Sequence, residues 1–165
     1  MQFGQKIAPC LWFENQGEDA ANFYVSIFKN SRITSISRYG KAGQETHKQK
    51  EGAVMMVAFE LEGQTFTALN GGPLFRFNEA ISLQIFVDDQ KELDHYWDRL
   101  TKGGDPKSHV CGWLKDKYGL SWQVVPKKMI GWWEKPDEKS QRAFDAMMKM
   151  GKLDIAALKK AYNGG

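Results

Sequence analysis

A repeat constrains this chain more than any other feature. Residues 7–13 alternate as a strand would, with Ile7, Pro9, Leu11 and Phe13 on one face and Ala8, Cys10 and Trp12 on the other. The same alternation returns 74 positions later, where Ile81, Leu83, Ile85 and Val87 oppose Ser82, Gln84 and Phe86. A helical stripe follows each strand: Ala20, Phe23, Tyr24 and Ile27 in the first copy, Leu93, Tyr96, Trp97 and Leu100 in the second, 73 positions on. Capping patterns precede both stripes, Asn15-Gln16-Gly17-Glu18 and Asp89 with Glu92. A hairpin signal closes each copy, at 54–70 and at 110–125.

This pattern predicts an α+β chain of tandem β-α-β-β-β modules, the first spanning 5–75 and the second 78–126. The second is abbreviated, because Gly103-Gly104-Asp105-Pro106 leaves little room for a counterpart of strand 31–39. Val110 to Pro126 reads as the hairpin on which the second module is built. Gly119 supplies the tight connection and Pro126 ends the ladder. Alternation places Leu120, Trp122 and Val124 in the core and Ser121, Gln123 and Val125 opposite, with Asp116 read as a solvated turn residue. Residues 127–165 read as a helical tail of the same single domain, 1–165. In it Met129–Trp133 forms a short turn, Pro136-Asp137 opens a helix carrying Ala143, Phe144, Met147 and Met148, and Asp154 caps a last helix. The tail is expected to clamp the sheet or a second subunit.

At 165 residues with 42% hydrophobic side chains, the chain is long enough for a packed core. Its charge of +3 is spread among interleaved acids and bases, with no basic stripe to follow a phosphate backbone, so no nucleic-acid partner is expected. The run Lys127-Lys128 and the pair Lys159-Lys160 read as solvated faces. No apolar run approaches a membrane span, and Met1-Gln2-Phe3-Gly4-Gln5-Lys6 lacks the charged start and apolar middle of a signal peptide. With Cys10 and Cys111 placed in strands as reduced thiols, a cytoplasmic location is the expectation.

Several words of the sequence add a resemblance. Cys10-Leu11-Trp12-Phe13 ahead of a Glu18-Asp19-Ala20-Ala21-Asn22-Phe23-Tyr24 helix, Leu69-Asn70-Gly71-Gly72-Pro73, Cys111-Gly112-Trp113, Tyr118-Gly119-Leu120-Ser121-Trp122-Gln123 and the tail Ala143–Ile155 resemble the PhnB-like branch of the vicinal-oxygen-chelate superfamily. That superfamily includes glyoxalase I, bleomycin-resistance proteins and extradiol dioxygenases. The branch often carries the label "3-demethylubiquinone 3-methyltransferase-like". The resemblance implies two curved four-stranded sheets, each cupping a cavity, completed in a homodimer. Metal-dependent relatives place ligands near the first and last strands of each module. Those positions fall here near Ala8 and Ser82, and near Phe66 or Thr67 and Gln123, a donor set too poor for a divalent ion. No metal or other cofactor is therefore expected. Gly71-Gly72 leads into Leu74-Phe75-Arg76-Phe77 and not into a helix, so it does not read as a methyl-donor loop.

The expected function is metal-independent binding of a small, flat or partly apolar molecule. Trp12, Trp113 and Phe86 would supply aromatic walls. Cys10, Ser82, Gln84 and Gln123 share those strand faces and would supply polar contacts, with Asn70, beside Gly71-Gly72, either a further contact or a turn residue. The alternative is an enzyme of unknown reaction, working through Cys111 and His109, two residues apart on one strand face, or through a recruited metal. His47 and His95 read as surface residues. Met147, Met148 and Met150 read as packing residues.

Overall fold

The structure, a computed structural model, describes residues 5–134 and 136–165. The reading of Met1-Gln2-Phe3-Gly4 lies outside the described residues. The chain divides into two compact units, Met1–Phe77 and Asn78–Gly165.

The first unit runs β1 (Cys10–Phe13), α1 (Gly17–Val25), β2 (Arg32–Arg38), a short α2 (Gln44–His47), β3 (Val54–Leu61) and β4 (Gln64–Asn70). Its sheet has the order β1-β4-β3-β2, with β1 parallel to β4 and the other pairs antiparallel. The β3–β4 turn is Glu62-Gly63, both at positive φ (47° and 81°), the pairing that a two-residue hairpin loop requires. Ala20, Ala21 and Tyr24 of α1 are fully buried, as are Val57 and Phe59 of β3, and Tyr24 stacks on Phe59 at 6.2 Å. Two expectations need correction. The first strand begins at Cys10, and Ile7 is 86% exposed. Asn15 does not cap α1 either: the N-cap is Gln16 without a side-chain bond, and the Gly17 N–H donates instead to Asn70 Oδ1 at 2.7 Å.

The second unit runs β5 (Ser82–Val87), α3 (Gln90–Leu100), a 3₁₀ turn (Pro106–Ser108), β6 (Trp113–Lys115), β7 (Ser121–Pro126), α4 (Lys127–Trp133), α5 (Glu138–Met147) and α6 (Ile155–Asn163). Asp89 caps α3 through the Glu92 N–H, Asp137 and Ser140 form a capping box on α5, and Asp154 caps α6 through the Ala157 N–H. The sheet has three strands in the order β5-β7-β6, not the four that the resemblance implied. The stretch between α3 and β6 is taken up by the 3₁₀ turn and passes so close to β6 that a Cβ on Gly104 would lie 2.2 Å from the Lys115 carbonyl oxygen. The tail belongs to this unit. Cys111 and Gly112 N–H donate to Met150 and Gly151 carbonyls, and the Gln90 side chain holds both the Leu153 carbonyl and the Ile155 N–H.

Asp116 departs most from expectation. It is 2% exposed, not solvated. Its Oδ1 accepts from the Tyr118 and Leu120 N–H groups and its Oδ2 accepts from Trp122 Nε1 at 2.8 Å. One carboxylate thus closes the β6–β7 turn and fixes the following strand through its indole. Leu120, Trp122 and Val124 are buried as expected. Asp116→Ala should leave these donors unpaired in the interior and cost about 3 kcal/mol or more, measured as a lowered urea midpoint. Unchanged stability would show that the carboxylate does not hold the hairpin.

Candidate functional site

Strand register assembles the site. In the second sheet Ser82 pairs with Ser121, Gln84 with Gln123 and Phe86 with Val125, while Trp113 pairs with Gln123 and Lys115 with Ser121. Cα partners share a face, so the face away from the Trp122–Val124 core is ordered in rows. A row of hydroxyls and an ammonium (Ser82, Ser121, Lys115) comes first. A row of amides and an indole (Gln84, Gln123, Trp113) follows, and then an apolar row (Phe86, Val125). Within the second row Gln84 Nε2 donates to Gln123 Oε1 at 3.2 Å, and Gln123 Nε2 links it to the first by donating to Ser82 Oγ at 2.7 Å.

This face floors a cavity of about 1000 Å³, a size suited to a small organic molecule. The tail supplies the remaining wall, with Met129, Ile130 and Trp133 from α4 and Met147 and Met148 from the end of α5. Lys115 Nζ forms an ion pair with Glu79 Oε1 at the polar end. The hydrogen bond from Lys115 holds the Glu79 carboxyl below the usual carboxylate range. Ser121 Oγ is buried there and finds no hydrogen-bond partner among the described residues.

Of the residues expected at a site, Gln84, Phe86, Trp113 and Gln123 line this cavity, and Ser82 holds Gln123 by a hydrogen bond without lining it. Cys10, Trp12 and Asn70 belong to the first unit and do not line it. Trp12 donates Nε1–H to the Gly72 carbonyl and sets its ring edge-on to Phe75 at 4.8 Å. Asn70 is 5% exposed and committed to the fold: besides accepting from Gly17, it donates Nδ2–H to the Val54 carbonyl. Its partner stands 53 positions away, beyond the reach of local pattern.

The Cys111–His109 idea loses its premise. Cys111 is not in a strand. It sits at φ 52° beside Gly112 at φ 83°, in a two-residue turn bridged by Val110 and Trp113. Strand alternation therefore does not align its thiol with His109. The thiol donates to Met148 Sδ at 3.5 Å, whereas the His109 ring stands edge-on to Trp97 at 5.2 Å and its Nε2 has no partner among the described residues. Sequence reasoning missed Ser121, Lys115 and Glu79 as site residues. Alternation already put Ser121 on the face of Gln123, but only the register with β6 brings Lys115 beside it.

Neither group suggested by the fold family fits the residues present. A divalent ion needs three or four convergent donors, and the positions at issue offer Ala8, Thr67, Ser82 and Gln123, of which the last two bond to each other. No group of three His, Cys, Asp or Glu side chains gathers among the described residues. A methyl-donor cofactor needs free backbone N–H groups in a glycine loop, yet Gly71 and Gly72 donate theirs to the Phe13 and Glu14 carbonyls.

A family model described as 3-demethylubiquinone-9 3-methyltransferase matches residues 5–125. The chain belongs to this PhnB-like family of the vicinal-oxygen-chelate superfamily. Among solved structures it is similar to a protein from Bacillus cereus described as a 3-demethylubiquinone-9 3-methyltransferase, PhnB protein, with 39% identity over 74% of this chain and 99% of that one, at a TM-score of 0.62. A Pseudomonas aeruginosa protein is 17% identical over 74% and 98% of the two chains, with a TM-score of 0.58. A fosfomycin resistance protein, FosX, from Mesorhizobium loti is 13% identical over 81% and 100%, with a TM-score of 0.54. The last two show the shared glyoxalase fold alone. No curated protein matches the chain.

Gly71, shared with the family words, has a packing reason. A Cβ there would lie 2.2 Å from Trp12 Cζ2. Gly71→Ala should lower stability by about 1–3 kcal/mol through overpacking, read from the thermal unfolding midpoint. An unchanged midpoint would show that the indole does not lie against this glycine.

Proposed function

We propose that this PhnB-like protein binds a small organic molecule without a metal, in the cavity floored by the second sheet. One observation carries the reading: two side-chain amides, bonded to each other and braced by Ser82, line the floor of a large recess whose other walls include indoles and thioethers. Such a face offers planar hydrogen bonding from Gln84 and Gln123 and a stacking surface from Trp113. It suits a flat, partly apolar ligand. The methyltransferase in the family's name finds no support in the glycines, and the enzyme alternative through Cys111 and His109 lacks a geometric basis. A homodimer in a reducing, cytoplasmic setting is part of this proposal, with Ile7, Leu74 and Ile81 (86%, 73% and 72% exposed) as apolar side chains that a second copy would cover. The described helices include none long and apolar enough to cross a membrane.

Native mass spectrometry of the chelator-treated protein is the direct test. A retained or added flat aromatic ligand should survive chelation, and Trp113→Ala should weaken it by roughly tenfold or more, as expected for an aromatic wall. Cys111→Ser should leave it in place. Stoichiometric zinc, nickel or manganese whose removal abolishes binding would overturn the reading.

A further inference from the structure

One stretch of the cavity wall in the second unit is polar, and it holds an unused donor. Ser121 is 1% exposed, lines the cavity and finds no acceptor for its hydroxyl among the described residues. Native interiors seldom leave such a group unpaired. Its neighbour on the sheet, Lys115, also lines the cavity and is itself held by a carboxylate, that of Glu79. Glu79 comes from the segment before β5, and its side chain is 65% exposed, so it can leave for water at little cost. On the other side of Ser121 lies Ser82, whose Oγ accepts from Gln123 and still carries a proton to donate.

We propose that this row is the head-group subsite for a monocarboxylate with a flat apolar body. The ligand carboxylate takes the place of Glu79 on Lys115 and accepts the Ser121 hydroxyl proton in a hydrogen bond. The body lies along Gln84 and Gln123 toward Trp113 and Phe86. The proposal rests on the binding reading above and adds the ligand's class. Glu79 is the model for the ligand's head, a carboxylate already seated where another would sit. The exchange keeps Lys115 paired and releases the exposed Glu79 carboxylate to water. A phosphate or phosphonate is disfavoured, because the other charged residues among the described lining are Glu79 and Glu134, with no arginine fork or second cation among them to meet a dianion.

The test is a matched pair of probes, naphthalene-2-carboxylate and naphthalene-2-carboxamide, titrated calorimetrically into the full chain. The carboxylate should bind roughly tenfold more tightly, the scale of one charge-assisted hydrogen bond. Lys115→Gln and Ser121→Ala should each reduce that preference, with folding checked by circular dichroism. Glu79→Gln, an exposed change that leaves the core untouched, should tighten the carboxylate and not the carboxamide. Equal affinity for the two probes, or no effect of Glu79→Gln, would overturn the head-group assignment and leave the cavity reading standing. Failure of both probes to bind would overturn both.

Discussion

The second unit depends on where β7 starts, and a buried carboxylate sets that point. Asp116 gathers two backbone N–H groups of the turn and the indole N–H of Trp122. A strand has a period of two, so a slip of one residue would turn its whole inward set outward. With Trp122 pinned, Leu120 and Val124 must face the core, and Ser121, Gln123 and Val125 must face the cavity. The parallel pairing with β5 and the short antiparallel pairing with β6 then complete the rows of hydroxyl, amide and apolar side chains. The site chemistry is thus a consequence of a turn whose key residue never touches the cavity.

The first unit uses the same pieces differently. Asn70 spends its amide on the start of α1 and on β3, and Trp12 covers Gly71. The face shared by Cys10 and Trp12 carries Thr67, Leu69, Met56 and Ala58 by register, with no amide among them. Asn70 and Trp12 in this unit bond to the backbone, whereas Gln84, Gln123 and Ser82 in the second bond to one another on the cavity face. The two modules thus put similar residue types to different structural uses, and a fold by itself does not carry an activity.

Much of this was legible locally. The repeat, both amphipathic helices, the caps of α3 and α6 and the two faces of β5 and β7 follow from period and capping chemistry within a few residues of each other. The missing fourth strand of the second sheet was foreshadowed by the Gly103–Pro106 loop, though the family resemblance implied otherwise. Three features resisted. Asp116 looked like any charged turn residue, because its burial depends on Trp122 returning over it. Asn70 looked available, because the N–H it serves is 53 positions away. Cys111 looked like a strand residue, although the following Gly112 is the signature of a tight two-residue loop. Each of the three rests on non-local pairing or on a backbone conformation that alternation ignores.

The central claim is that the amide row of the second sheet is a binding surface that works without a metal ion. The side-chain amide resonances of Gln84 and Gln123 report on it most directly, in a ¹H–¹⁵N spectrum of chelator-treated protein assigned through Gln84→Leu and Gln123→Leu. On addition of naphthalene-2-carboxylate the account predicts saturable shifts of both resonances. Resonances that stay still, or that move only after a divalent metal is restored, would contradict it.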